Sequence, residues 1–330
     1  MRTFVHAALA FGIAASAPAG AQQAKPAAGT SNYPNKSIRL VVPSAPGGGT
    51  DIIARWIGQG LTDAWGQVVV VDNRGGGGGT VGVTIVAKAA PDGYTMLLGS
   101  VGHLTFAPAV RPGLAYDARK DIAPITLAAN QPFLFAANPS LPAKSIGELI
   151  ALAKKSPGDI KYGSGGVGSA SHLGIALLEL HQGISMLHVS YKGSNPALTA
   201  AIGGEVQLVI AGLATVLPHM KSGRVRGLAV TGSKRAQVAP DVPTAAESGA
   251  KGYAFDVWYG LVFTGGTPRA IVEKANAEIV RMLRSPEMNK QFLTQGVEPL
   301  TSTAQEFTKR IDQEIVNWQK VVKAANIKLQ

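Results

Sequence analysis

The sequence predicts an α/β fold in two lobes of similar plan, and three features carry that expectation. Short β-branched runs alternate with amphipathic stretches through most of the chain, as in strand–helix units around a sheet. Two glycine loops, at 46–49 and 163–168, each follow a strand-like run and open a helix-like one, one loop in each half. With 330 residues, 46% of them hydrophobic, the chain can bury two cores.

The first unit is the most informative. Residues 38–42 (Ile-Arg-Leu-Val-Val) read as a buried strand. Pro43-Ser44-Ala45-Pro46-Gly47-Gly48-Gly49-Thr50-Asp51 follows, and Ile52, Ile53, Trp56, Ile57 and Leu61 then recur at helical spacing. The glycines let the backbone bend where a Cβ would clash, and they leave N–H groups bare. Beside the positive end of a helix those groups suit an anion. The alternative is an ordinary helix start capped by Thr50 or Asp51.

A second strand is expected at 68–71, running into Asp72-Asn73-Arg74 and five glycines, Gly75 to Gly79. Val81, Ile85 and Val86 suggest a short helix. Pro91-Asp92-Gly93-Tyr94 is a turn in which proline presets φ and glycine takes the left-handed position. A third strand is expected at 95–99, then a loop, Ser100-Val101-Gly102-His103. Strand and helix alternating in this way argue for a parallel sheet. Residues 108–124 read as irregular. Strand-like runs at 125–129 and 133–137 are parted by Gln131-Pro132, where the chain is expected to cross between lobes.

Ser145 opens a helix with Glu148 three residues on, a capping box. The second series then runs strand 160–162, glycine loop 163–168, a helix opened by Ser169, strand 186–189 and loop Tyr191-Lys192-Gly193-Ser194. A helix at 196–202, strand 206–210, helix 213–220 and strand 225–230 complete it. A strand at 256–263 returns to the first lobe. Gly265-Gly266-Thr267-Pro268 introduces a helix, Ser285-Pro286 another. In the last segment, 304–325, Phe307, Ile311, Ile315, Trp318 and Val322 recur every three or four residues, the mark of a packing helix.

Composition excludes several function classes. The net charge is +11, yet lysines and arginines are scattered without a run of five, and aromatics are only 6%. That is no nucleic-acid surface. Cysteine is absent, which removes disulfides, thiolate metal sites and cysteine nucleophiles. Arg2, an apolar core at 5–17 and Ala19-Gly20-Ala21 have the form of a cleaved signal peptide, 1–21. Residues 22–32 read as a disordered leader. Cleavage would remove Arg2 and take the charge from +11 to +10, that is, 11 − 1. No apolar run is long enough to span a bilayer. A soluble protein outside the cytoplasm is the expectation.

Catalytic constellations are missing. Gly77–Gly82 and Gly163–Gly168 fit G-x-G-x-x-G, but neither has the acid about 20 residues on that a dinucleotide needs. No cofactor is expected. Ser164 and Ser169 lack a hydrolase elbow, and Ser248 to Lys251 fits S-x-x-K only by chance. His103, His172, His181, His188 and His219 show no zinc spacing, so no metal is expected. His172 either faces the loop or holds neighbouring backbone. With no carboxylate pair for acid–base work, no catalytic residue is assigned. Two glycine loops facing across a cleft would instead hold a small anion. A helix end contributes about 0.3–1 kcal/mol, at best about 2, whereas micromolar binding needs about 8. Hydrogen bonds to a carboxylate, at about 1.5–3 kcal/mol each, can make up the difference. Water must be shut out, so the cleft should close.

The chain also resembles the Bug family of periplasmic solute receptors associated with tripartite tricarboxylate transporters. The matching stretches are 38–43 with Pro46-Gly47-Gly48-Gly49-Thr50-Asp51 and Ala54-Arg55, Val71-Asp72-Asn73-Arg74, residues 87–94, and Gly168-Ser169 with His172-Leu173. Tyr191-Lys192-Gly193, Asp241-Val242-Pro243-Thr244 and Trp258-Tyr259-Gly260-Leu261 complete them, in family order. The resemblance implies a type II, Venus-flytrap binding protein that is not an enzyme. Lobe 1 would be 33–133 with 253–330, and lobe 2 would be 134–252. It implies a small carboxylate ligand gripped by Ala45, Pro46, Gly47, Gly48, Gly49, Thr50 and Asp51 on one side. Ser164, Gly168 and Ser169 would grip it on the other, with Ser100, His103, Tyr191 and Lys192 at the rim. Transporter membrane subunits would receive the ligand, or a sensor kinase in an alternative reading. An enzyme of unknown reaction in the same cleft is a further alternative. The sequence departs from the family pattern at Gly75, Val167, Ser190, Ala200 and Ala211, so a less polar wall suited to a bulky or aromatic acid is expected in lobe 2.

Overall fold

The computed structural model describes residues 32–325 apart from 295, with side chains as far as Lys320. The expected signal peptide, all of the leader before Asn32 and the Val322 side chain lie outside the described residues.

One mixed sheet runs through both lobes. Its strands are β1 (Ile38–Val42), β2 (Val69–Asn73), β3 (Thr95–Ser100), β4 (Ile122–Ala137), β5 (Lys161–Ser164), β6 (Leu187–Ser190), β7 (Leu208–Gly212), β8 (Arg226–Val230), β9 (Asp256–Thr264) and β10 (Glu298–Pro299). The order is β2-β1-β3-β9-β4-β7-β5-β6, with β10 and β8 also paired to β4. β1 lies parallel to β2 and β3, as β5 does to β6 and β7. Ile38, Leu40, Val41 and Val42 are buried, as a parallel strand covered on both faces requires.

β4 joins the lobes. Its first part, to Pro132, pairs with β9; Phe133 to Ala137 pair with β7 and β8. The sequence suggested two strands broken at Gln131-Pro132, but the strand is continuous. Proline, which cannot donate to a ladder, sits where the strand changes partners. Thr231 ties the return crossing to this point: its N–H donates to Phe133 O (2.8 Å), its Oγ1 accepts from Phe133 N (2.9 Å), and its carbonyl accepts from Phe255 N (2.7 Å).

Helices α1 (Gly49–Trp65), α2 (Thr80–Ala87) and α3 (Ala107–Val110) flank the first strands, and α4 (Ile146–Lys155), α5 (Ala170–Gln182), α6 (Ser194–Gly203) and α7 (Leu213–Lys221) the second series. α8 (Arg269–Leu283), α9 (Pro286–Leu293) and α10 (Ala304–Ala325) return to the first lobe. Ile53, Ile57 and Leu61 of α1 are fully buried, each worth about 1.5–3 kcal/mol of apolar burial. Ser145 caps α4 by accepting from Glu148 N (3.1 Å), while the Glu148 carboxylate takes the Lys144 N–H (2.7 Å). α10 buries Phe307, Ile311 and Ile315. Gly260 lies under the Phe307 ring, where an added Cβ would stand 2.2 Å from a ring carbon.

The stretch expected to be irregular begins differently. Gly102–Phe106 form a π-helical turn that runs into α3. Glycine and Pro108 masked this in the sequence, and π turns recur at functional sites.

Candidate functional site

The loops of the two lobes meet, so this is a closed form. Ala45 N donates to Lys192 O (3.2 Å), and Asn195 Nδ2 donates to Pro46 O (3.3 Å). Arg111 Nη1 donates to Gly77 O (2.6 Å) and to Val167 O (3.4 Å). Glycines make this approach possible. A Cβ on Gly78 would stand 1.8 Å from Val167 O, and one on Gly102 would stand 2.4 Å from Ala170 N. A Cβ on Gly75, a departure from the family pattern, would stand 2.9 Å from Lys192 O and 3.1 Å from Ala45 N. The glycine run that imitates a dinucleotide fingerprint is thus part of the seam between lobes.

Inside the seam lies a cavity of about 30 Å³, room for a few waters at most. It is lined from lobe 1 by Pro43, Ser44, Thr50, Ser100, His103 and Tyr259, and from lobe 2 by Gly165, Ser169, Ala170, Ser171, Gly193 and Ser194, with Phe133 at the crossing. Three helices start there. α1 begins after Gly48 and α6 after Gly193, neither with a side-chain cap. α5 begins after Ser169, whose Oγ accepts from His172 N. The first N–H groups of a helix have no intrahelical acceptor, so α1 and α6 direct theirs out of their own ends.

Four of the predicted residues line the cavity: Thr50, Ser100, His103 and Ser169. Ser100 N and Oγ both approach His103 Nδ1 (3.2 and 3.1 Å). A backbone N–H can only donate, so Nδ1 accepts and the ring proton sits on Nε2. Burial lowers the His103 pKa to about 4, which keeps the ring neutral. Tyr116 Oη donates to the His103 carbonyl (2.7 Å) and fixes the π turn.

The other predicted residues brace the loops or close them. Asp51 Oδ2 accepts from Gly47 N (2.8 Å) and Arg55 Nε (3.0 Å). Burial raises its pKa, but the bonds from Arg55 and Gly47 outweigh this, and the net shift is downward. Gly48 precedes α1, while Gly49 abuts the Gln131 carboxamide, which also accepts from Tyr259 Oη (3.4 Å). Ala45 and Lys192 meet through backbone atoms, Pro46 O takes the Asn195 side chain, and Tyr191 Oη turns away to Glu205 (2.7 Å).

In lobe 2 the glycine loop is braced from behind. Gly165 N donates to Ser171 Oγ (2.8 Å), Gly166 N to Ser164 Oγ (3.0 Å) and Gly168 N to His172 Nδ1 (3.3 Å). Of the two roles left open for His172, the structure shows the one that holds backbone. Ser164 Oγ also bonds His188 Nε2 (2.6 Å), and the His188 ring stacks on His172 at 4.4 Å and on Tyr162 at 4.9 Å. Burial, then the neighbouring His188, lower the His172 pKa to about 3.

Sequence reasoning missed Ser44, Phe133, Ser171, Ser194 and Tyr259. Gly193-Ser194 carried a usable signal, a third strand–glycine–helix junction. The departures at Val167, Ser190, Ala200 and Ala211 do not line the cavity. Ala211 is buried in β7 opposite Leu134, Ala200 is buried in α6, Ser190 is exposed, and Val167 meets the seam through its carbonyl. The expectation of a less polar wall built from them is corrected accordingly. A larger groove of about 490 Å³, between α1, α8 and α9, shares no residue with the cleft.

Known proteins share this architecture. BugT of Bordetella pertussis is 36% identical over 90% of this chain and 92% of its own. A Rhodopseudomonas palustris protein solved with adipate has a TM-score of 0.85 at 35% identity, covering 89% of this chain and 99% of its own. MatC of Rhodopseudomonas palustris, solved with malate, has a TM-score of 0.82 at 32% identity, covering 88% and 100%. Among the described residues no helix is long and apolar enough to cross a membrane. Residues 53–327 match the model described as tripartite tricarboxylate transporter family receptor. With the two-lobed fold and the identity to BugT, this makes the chain a member of that family of periplasmic solute receptors, not an enzyme.

Proposed function

We propose that the chain captures a small carboxylate in the interlobe cleft and presents it to the membrane subunits of a tripartite tricarboxylate-type transporter. The lobes would be 33–133 with 253–330, and 134–252, in a monomer exported by a signal peptide cleaved near Ala21. One observation carries the reading: three helix N-termini and a ring of hydroxyls converge on one small cavity in the seam. That arrangement suits a carboxylate held by hydrogen bonds and helix dipoles. Thr50 and Ser169, with Ser44 and Ser194, would donate to the ligand, while Ser100 and Tyr259, whose hydroxyl protons face His103 Nδ1 and Gln131, would line the cavity beside it. Ala45 to Gly49, Asp51, Ser164, Gly168, Tyr191 and Lys192 would shape and close the loops around it. The adipate and malate bound in relatives support the ligand class.

A diacid of adipate's size does not fit a cavity of about 30 Å³, so entry requires the lobes to part. Thermal unfolding against a panel of carboxylates, amino acids, aromatic acids and vitamins tests the proposal. A ligand at 100 times its Kd should add about 2.7 kcal/mol. Stabilisation by one or more carboxylates supports the reading; stabilisation by uncharged vitamins alone would sink it.

A further inference from the structure

Helix α10 lies outside the cleft, yet one of its side chains holds two segments that line it. The half-buried Glu314 carboxylate accepts from Trp258 Nε1 (3.0 Å to Oε1, 3.1 Å to Oε2) and from Thr105 Oγ1 (3.1 Å to Oε2). Arg310 Nε donates to Oε1 (2.8 Å), and its guanidinium lies 5.2 Å from the Trp258 ring centre. Trp258 and Thr105 are fully buried. A buried indole N–H needs an acceptor, and Glu314 supplies it.

Both donors sit close in sequence to residues of the cleft. Successive strand residues face opposite sides of a sheet, so Tyr259 meets the cleft while Trp258 meets α10. Thr105 follows His103 by two residues in the π turn. A single π turn is an uncommon conformation, and two bonds from outside hold this one: Tyr116 Oη to the His103 carbonyl, and Thr105 Oγ1 to Glu314. The next residue, Phe106, packs between Trp318 of α10 (5.9 Å) and His172 of lobe 2 (6.3 Å). So α10 stands behind the turn, and lobe 2 stands in front of it.

We infer that Glu314 is a positioning residue for the cleft: from α10 its carboxylate fixes where the π turn and β9 place His103 and Tyr259, a role that rests on the carboxylate-receptor reading above. Proton–nitrogen spectra of the histidine side chains test it on the purified protein, with His103→Gln to assign the ring. In the unaltered protein Nδ1 is the bare nitrogen and Nε2 carries the proton. Glu314→Gln keeps the shape but leaves one acceptor oxygen where there were two. Thr105→Val removes the other end of the same bond. Each should slacken the Ser100–His103 bond and move the two ring-nitrogen signals toward each other. The double variant should do no more than Glu314→Gln alone, since both act through one contact. Arg310→Met removes only the outer partner and should leave the ring signals in place. In calorimetry with adipate and malate, whichever acid binds should be weakened about tenfold by Glu314→Gln, the size of one hydrogen bond to a charged group. Unmoved His103 signals in both Glu314→Gln and Thr105→Val, or an unchanged affinity for an acid that binds, overturn the inference. A lower melting temperature does not rescue it, because a purely structural contact would give that too. If no acid of the panel binds the unaltered protein, the receptor reading falls, and the His103 signals still decide the role of Glu314.

Discussion

The two glycine loops look alike in sequence and work differently. In lobe 2, Gly165, Gly166 and Gly168 give their N–H groups to Ser171, Ser164 and His172 of the same lobe, and Ser169 caps its own helix. That loop is finished before any ligand arrives. In lobe 1, the end of α1 is uncapped, and Asp51, which also holds Arg55, takes only the Gly47 N–H from the loop backbone. There the backbone donors remain available. Lobe 2's open helix end is α6, after Gly193, and not the glycine-rich α5 loop. Glycine content therefore marks where backbones come close, whereas the absence of a cap marks where an anion can sit.

The strongest way to break this comparison is to prevent the loops from meeting. Gly102 has an ordinary φ, and its α-carbon faces Ala170 N, Ser169 C and Gly168 O across the seam. Gly102→Ala should leave the unliganded fold intact. The clash in the closed form, worth about 3 kcal/mol, should weaken ligand binding about 100-fold. Gly203→Ala, which meets nothing within 4 Å, is the control. Calorimetry reads both; undiminished affinity in the first would place the binding state elsewhere than this closed form.

Acid should expose lobe 2's bracing. The His172 pKa is lowered from 6.5 to about 3, so the unfolded chain binds the proton more readily. Stability is then full above pH 6.5 and falls as pH drops toward the folded value. At pH 5 the loss is about 2 kcal/mol for His172. His172→Asn keeps an acceptor for Gly168 N and removes the titration. Denaturant midpoints at pH 7 and pH 5 should lie closer together in that variant.

Much of this architecture was legible in the sequence because it is repetitive. β1, β3, β7 and α10 follow from periodicity, and both glycine loops sit where the pattern put them. What escaped depends on contacts between segments distant in sequence. The continuity of β4 through Pro132 depends on a change of partners. Tyr259 and Phe133 reach the cleft only because β9 starts beside the crossing and β4 runs through it. His172's role needed the distance from its Nδ1 to Gly168 N, since the sequence fitted either orientation.

A smaller effect separates fold from binding within a single residue type. Ser169 caps α5, so Ser169→Ala should cost about 1 kcal/mol of stability along with affinity. Ser44 Oγ is buried without a partner. Ser44→Ala should leave stability unchanged or raise it, since removing an unpaired buried hydroxyl relieves a cost. Its whole effect should fall on ligand affinity. Equal destabilisation by the two alanines would erase the difference between the loops.

The smallest expected effect lies at the rim. Arg111 holds Gly77 O closely, at 2.6 Å, but reaches across to Val167 O at only 3.4 Å. A long, partly exposed bond contributes at the low end of about 0.5–1.5 kcal/mol. It also forms only once the lobes have met. Arg111→Leu should therefore leave association unchanged and speed ligand release by a few-fold, within about fivefold. Stopped-flow displacement separates the two rates. A fall in the association rate would mean that Arg111 attracts the ligand through its charge, and that closure depends on the glycine contacts alone.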